Sequence, residues 1–402
     1  MFDRAIILPK WKIHVKTLGL PQIICMHDLH DYLSPVHVNG ILEDESLTDG
    51  QIGKHIQVFE DTMPDLENVN IVLLGVPEYR GQLMNNKGSE GPDIIRKKLY
   101  RLHYWHQDVA LADVGNIKTG MTLNDTYAAI KTVVSELIQN GKTVLLLGGS
   151  HDITLAQYEA YRSLERTVEV TCVDAAVDLH GESAVRSENF LLDLLTGEPN
   201  LVKHYNHMAF QSYFVHPRMM ETLNKLHFDC FRVGMVQELI EEMEPPIRHT
   251  DMMSVDIQAI KNSDSPASKL SPNGLTGAEA CTLVRYAGMS HKISSLGIYG
   301  YRPEDDPQEL SALQIAQMIW YFIDGFHKKK QDVLPEETHD FIVFHTAFAQ
   351  VETTFLQSKR SNRWWMKMPD GKWMACSYKD YVEASSNQIP ERWLRLQERD
   401  CQ

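Results

Sequence analysis

From residue 70 onward the chain alternates short apolar runs with longer stretches whose apolar positions recur at helical spacing. Eight runs read as strands: NIVLLGV from Asn70, DVALADV from Asp108, TVLLLGG from Thr143, VEVTCVD from Val168, CFRVG from Cys230, MMSVDI from Met252, KISSLGIYG from Lys292 and DFIVFHT from Asp340. Between them, NDTYAAIKTVVSELIQNG reads as a helix that Asn124 or Asp125 can cap at its start and Gly141 can end. ELSALQIAQMIWYFIDGFHKK, from Glu309, is long enough to cover one face of a sheet. Strands alternating with helices predict an α/β fold around a mostly parallel, eight-stranded sheet.

The two ends depart from this pattern. Residues 1–65 carry mixed signals and read as an N-terminal extension packed on the core, with 66–349 as the α/β domain and 350–402 as a Trp-rich C-terminal tail. Within the tail, RWWMKMPDGKWMACSY reads as two short strands joined at Pro369, Asp370 and Gly371. Trp364, Trp365 and Trp373 form either an aromatic binding surface or buried anchors, the commoner fate of clustered tryptophans.

At 402 residues the chain has room for two or three domains and a sizeable core. Its formal charge of −15, with no long Lys/Arg run, argues against a nucleic-acid partner. The opening MFDRAIILPKWKIHVKTLGL lacks the apolar stretch of a signal peptide, and no segment approaches the about 18 apolar residues that span a membrane. The expectation is a cytoplasmic protein with no membrane partner. Cys25, Cys172, Cys230, Cys281, Cys376 and Cys401 show no paired spacing and read as packing residues.

Ligands of open parallel sheets bind beyond the carboxyl ends of the strands, and three of the runs end in polar chemistry. TVLLLGGSHD leads to His151, VEVTCVDAAVD to Asp174 and Asp178, and MMSVDIQ to Asp256 and Gln258. Each alone has an ordinary reading, since an Asp after a strand more often caps a helix or a turn. Together, one imidazole and three carboxylates make a hard, oxygen-rich set suited to manganese or a similar divalent ion. In VTCVDAAVDLHGE, read as a continued strand, Asp174, Ala176, Asp178 and His180 face one way. A methyl group between two carboxylates is the oddity there, and the carboxylates need a counter-charge, either a metal or a basic side chain.

The GGxH element, the Asp-x-x-x-Asp strand end and the Ser-x-Asp strand end, in this order, resemble the ureohydrolase family of arginase, agmatinase and formimidoylglutamase. GVPEYRGQLMNNKGSEGPDIIRKKLY and RYAGMSHKISSLGIYGYRP extend the resemblance over about Val72 to Phe344. The N-terminal extension and the Trp-rich tail look like a divergent formimidoylglutamase-like branch. The resemblance implies a three-layer α/β/α fold, a homo-oligomer, and two manganese ions whose bridging hydroxide hydrolyses a guanidino or formimino C–N bond.

Carried over by residue, the first ion's ligands are His151, Asp174, Asp178 and Asp256, all present. The second ion shares Asp174 and Asp256 and asks for a His where this chain has Ala176 and an Asp where it has Gln258. The family's catalytic Glu, preceding x-x-Pro, falls on Gly300. No catalytic residue is therefore assigned, and the expected cofactor is one manganese ion at most, or none.

His180 could stand in for Ala176 only across about 7 Å, and Gln258 could offer a neutral carbonyl oxygen. Arg186, Ser187, Glu188 and Asn189 fall where the family has a substrate-contacting loop, with a poor match. Asp305 and Asp306 read as caps of the long helix that follows. Two functions remain: a hydrolase of an amidine-type C–N bond in a small molecule, or a metal-deficient, non-catalytic member that binds a small molecule or a protein. Metal-dependent deacetylation is weaker, because paired His bases are absent beside the metal strands.

Overall fold

Strands made almost wholly of Val, Ile, Leu and Met are stable only where helices cover both faces of their sheet, and this chain meets that condition. The computed structural model describes residues 26–43, 45–82, 89–335 and 338–400. Its main sheet contains β1 (Leu33–Ser34), β2 (Gln57–Val58), β3 (Ile71–Gly75), β4 (Leu111–Ile117), β5 (Thr143–Leu147), β6 (Val168–Val173), β7 (Val202–Phe210), β8 (Asp229–Arg232), β9 (Met252–Asp256) and β10 (Ser295–Tyr299). The order is β1-β4-β3-β5-β10-β9-β6-β7-β8, with β2 also on β4. β3 to β10 are parallel throughout, and β1 alone is antiparallel to its neighbour.

Side-chain alternation feeds two cores. Leu145 and Leu147 of β5 face one core with Ile95, Leu283, Ile319 and Phe322 from helices Gly91–Tyr100, Gly277–Gly288 and Leu310–Gln331. Val144 and Leu146 face the other, with Val133 and Leu137 from Leu123–Gln139 and Ala156 from Ile153–Ser163. The result is the three-layer α/β/α arrangement that the family resemblance implies. Thr122, one turn earlier than expected, caps Leu123–Gln139 in a reciprocal box with Asp125. Asp306 caps Leu310–Gln331 by accepting from the Leu310 and Ala312 amides at 3.0 and 3.1 Å, whereas Asp305 pairs with Arg302.

Eight strands longer than two residues form the main sheet, but one differs from the expected set. Phe341–Phe348 (β11) belongs to a separate antiparallel sheet with β12 (Val351–Ser358), β13 (Trp364–Lys367) and β14 (Trp373–Cys376), in the order β11-β12-β13-β14. Its place is taken by β7, which sequence reading misses because Lys203, His204, Asn206 and His207 break the apolar run. A boundary at 350 would cut the β11–β12 hairpin. At the other end, β1 and β2 attach the N-terminal segment to β4, while residues 1–25 lie outside the described residues. No helix among the described residues is long and apolar enough to cross a membrane. Cys172, Cys230, Cys281 and Cys376 are free, and Cys25 and Cys401 lie outside the described residues.

Trp364 and Trp365 are buried, and Trp373 is half-buried. Arg248 donates to the Trp364 carbonyl at 2.6 Å, pairs with Glu244, and lies 4.5 Å from the centroid of the Trp365 ring. Arg363 reaches Glu244 at 2.9 Å and Asp332 at 2.8 Å. Burial pushes the Glu244 carboxyl up, but the Arg248 and Arg363 guanidiniums overcome this and hold it at about 2.

A carboxyl held below its unfolded value stabilises above that unfolded value and loses its contribution as pH falls through the folded one. The C-terminal sheet should therefore loosen between about pH 4.5 and 2. Four of the chain's seven tryptophans, Trp364, Trp365, Trp373 and Trp393, lie in this part, so fluorescence against pH reads the transition. Arg363→Met should cost about 3 kcal/mol in denaturant unfolding, because Glu244 and Asp332 lose a buried partner.

Candidate metal centre

The polar residues noted in sequence come together beyond the carboxyl ends of β5, β6, β9 and β10, which are adjacent in the order β5-β10-β9-β6. β5 ends in a turn through Gly148 and Gly149, both at φ +82°, where a Cβ on Gly149 would press on the Val76 carbonyl at 3.0 Å. This turn delivers His151 to the cluster just before helix Ile153–Ser163. β6 stops at Val173, so Asp174 to His180 lie beyond the strand rather than along one face of it. Asp178 still reaches the same point.

His151 Nδ1 is 2.9 Å from Asp178 Oδ2, 3.3 Å from Asp174 Oδ2 and 3.6 Å from Asp256 Oδ2. The ligand atoms of His151, Asp174 and Asp256 lie within 4.8 Å of one another. All four side chains are buried. On its far side, His151 Nε2 donates to Ser254 Oγ at 3.1 Å, and Ser254 is fixed by Thr154 Oγ1 at 2.6 Å. Phe190 packs edge-on against the imidazole at 4.8 Å. The ring is thus held with Nδ1 toward the carboxylates, the second-sphere arrangement typical of a ligating histidine.

Without a cation the cluster has to retain protons. Burial works against a charged His151, yet its hydrogen bonds to Asp174 and Asp178 hold it well above the ordinary imidazole value. Burial, reinforced by Asp174, pushes Asp178 well above the carboxylate range, and burial drives Asp256 up to about 7. Asp174, opposed by burial but bonded to His151, stays below its ordinary value. The group His151, Asp174 and Asp256, with Asp178 on the same imidazole nitrogen, fits a hard divalent ion, which would replace these protons.

The residues that the family resemblance places at a second ion make other contacts. Ala176 contributes only its main chain, whose N–H donates to Asp174 Oδ1 at 3.2 Å. Gln258 Oε1 accepts from the Lys269 and Leu270 amides, each at 2.9 Å, so its carbonyl braces a loop and is not free to coordinate. His180 is exposed, with its N–H donating to the Glu188 carbonyl, and does not join the cluster. Gly300 sits at φ +78°, and a Cβ there would overlap Asp256 Oδ1. In the segment 186–189, Arg186 pairs with Asp193 and hydrogen-bonds Asn189 at 3.0 Å, and Ser183 Oγ donates to Glu188. The roles of Ser254, Thr154 and Phe190 went unread in the sequence, where only the Ser-x-Asp spacing hinted at the first.

A family model described as the arginase family matches residues 69–324. The formimidoylglutamase of Staphylococcus haemolyticus (strain JCSC1435) is 24% identical over 307 residues, covering 69% of this chain and 95% of the relative. That of Staphylococcus aureus (strain MSSA476) is 26% identical over 308 residues, with the same coverages. Among solved structures, Trypanosoma cruzi formiminoglutamase with manganese superposes with a TM-score of 0.62 at 20% identity, covering 70% of this chain and 99% of the other. Formimidoylglutamase from Bacillus subtilis subsp. subtilis str. 168 gives 0.61 at 18% identity, covering 74% and 98%. At these identities the structural likeness establishes the fold.

Gly300→Ala should cost on the order of 1–3 kcal/mol in thermal unfolding, because it places a side chain in the left-handed region against a ligand carboxylate. It should also weaken manganese retention by displacing Asp256. A variant as stable and as metal-competent as the parent would refute this packing. The same crowding means that Ala176→His, Gln258→Asp and Gly300→Glu together cannot restore a two-ion site without moving Asp256.

Proposed function

The chain belongs to the arginase family, and on that premise we propose that it is a formimidoylglutamase-like member built around one divalent cation of the manganese class. Its substrate is a small amidine- or guanidino-type molecule, and its reaction is hydrolysis of a C–N bond. The observation that carries the reading is the approach of three buried carboxylates to one imidazole nitrogen. When bound, such an ion would acidify water and stabilise the charge that develops on the heteroatoms around the attacked carbon. Asp174, Asp178 and Asp256 supply the anionic cradle, and Ser254 keeps the His151 ring aimed into it. Asp256 Oδ1 is occupied by the Gln258 amide at 2.8 Å, which leaves Oδ2 turned to the centre. Ala176 and Gln258 do not fit a second ion.

In this reading the α/β part carries the chemistry, and the N- and C-terminal additions are accessory to it. Assembly as a homo-oligomer and a cytoplasmic location belong to the same proposal, on the family resemblance. A second reading, a non-catalytic member that binds a small molecule in the cleft, is favoured by Gly300. No carboxylate stands there to orient a cationic substrate, and a side chain there would run into that of Asp256.

Purified protein with manganese, incubated separately with formiminoglutamate, arginine and agmatine, separates the two. The proposal expects metal-dependent release of formamide or urea from at least one of them, abolished in Asp178→Ala. No product from a metal-loaded protein would transfer the function to the second reading. Product release unchanged in Asp178→Ala would remove the metal assignment.

A further inference from the structure

Asp174 and Asp178 stand on a segment that has left β6, so support for it has to come from beyond that strand. The neighbouring β7 runs on past the end of β6 and gives that support with its main chain. The Asp174 N–H donates to the Met208 carbonyl at 3.0 Å, and the Gln211 N–H donates to the Ala175 carbonyl at 2.8 Å. Between these two bonds lies Ala209, buried, at φ +72°, where the register of β7 on β8 shifts between Met208 and Phe210. A non-glycine residue in the left-handed region persists where its surroundings impose it, and bulges of this kind re-aim the chain beside functional sites.

The Gln211 side chain is 1% exposed, and both ends of its amide are used. Nε2 donates to the Asn273 carbonyl at 3.1 Å, and Oε1 accepts from the Tyr213 hydroxyl, which keeps the amide from turning over. Asn273 belongs to the loop that runs from Asp256, at the end of β9, to the helix Gly277–Gly288. The first part of that loop is already fastened to Asp256, because the Gln258 N–H donates to Asp256 Oδ1 at 2.8 Å while Gln258 Oε1 accepts from Lys269 and Leu270. Gln211 therefore joins the segment bearing Asp174 and Asp178 to the loop that leaves Asp256.

We propose that Gln211 is a positioning residue of the carboxylate cluster. Its main chain holds Ala175, next to Asp174, and its side chain holds the Asp256 loop, so the two carboxylate segments keep one separation. An uncharged amide suits this place, since it adds no charge to a buried centre crowded with carboxylates. The proposal rests on the cation reading only for its consequence in metal affinity; the tie itself is a property of the metal-free chain.

Gln211→Met keeps the length of the side chain and removes both hydrogen bonds of the amide. Amide hydrogen exchange on the full metal-free chain should become faster in 174–178 and in 269–275 together, with β3 and β5 unchanged as evidence of an intact fold. Manganese titration followed by electron paramagnetic resonance should show binding about tenfold weaker than in the parent, with an altered spectrum of the bound ion, as expected of a residue that orients ligands without touching the metal. Tyr213→Phe, at a residue 65% exposed, frees the amide to turn without disturbing the core, and should move both readouts in the same direction by less. It decides the matter if Gln211→Met does not fold. Faster exchange in both segments with no manganese taken up by the parent would uphold the tie and remove the cation reading. Exchange unchanged in either segment, or manganese bound by the variants with the parent's affinity and spectrum, would overturn the proposal.

Discussion

The structure depends on one electrostatic constraint: three aspartates converge, buried, on a single imidazole nitrogen. Two like charges about 4 Å apart repel by about 4 kcal/mol at the effective dielectric of a protein. That is a large fraction of a domain's net stability. Burial, with a single imidazolium against three carboxylates, drives Asp178 and Asp256 toward their protonated forms when no ion is bound. The strand order, the two-glycine turn after β5 and the Ser254–Thr154 brace all serve to hold this arrangement, and a divalent cation relieves it more fully than protons do.

The same constraint explains why the departures at Ala176, Gln258 and Gly300 form a set. Gly300 gives Asp256 its room, since any Cβ there would intrude on Oδ1. Gln258 holds Asp256 through its own amide while its side chain closes the loop at Lys269 and Leu270. These contacts are structural commitments of the present chain. A side chain introduced at Gly300 would therefore disturb Asp256, a residue of the carboxylate cluster.

Much of this was legible in the sequence, for physical reasons that differ by element. β3, β5, β6, β9 and β10 stand out because strands buried on both faces must be apolar throughout. His151, Asp174, Asp178 and Asp256 stand out because strand ends in a parallel sheet are where polar residues can converge. β7 was hidden by its polar positions, among them Asn206 and His207, which are buried without interrupting the strand. DFIVFHT misled in the opposite sense: Ile342 and Val343 are apolar but exposed, on an edge strand of the second sheet. The end of β6 at Val173 left no mark, because Ala175 and Val177 continue the apolar pattern into the loop. Gln258 looked like a weakened ligand because sequence cannot report the two amides that it accepts.

The central claim is that the cleft holds one cation on His151, Asp174, Asp178 and Asp256 and no second. Anomalous diffraction from crystals grown with manganese tests it most directly. The account predicts one anomalous peak per chain, within coordination distance of His151 Nδ1 and the three carboxylates. Two peaks separated by a few ångströms, with Gln258 swung away from Lys269 and Leu270 to meet the second, would contradict it.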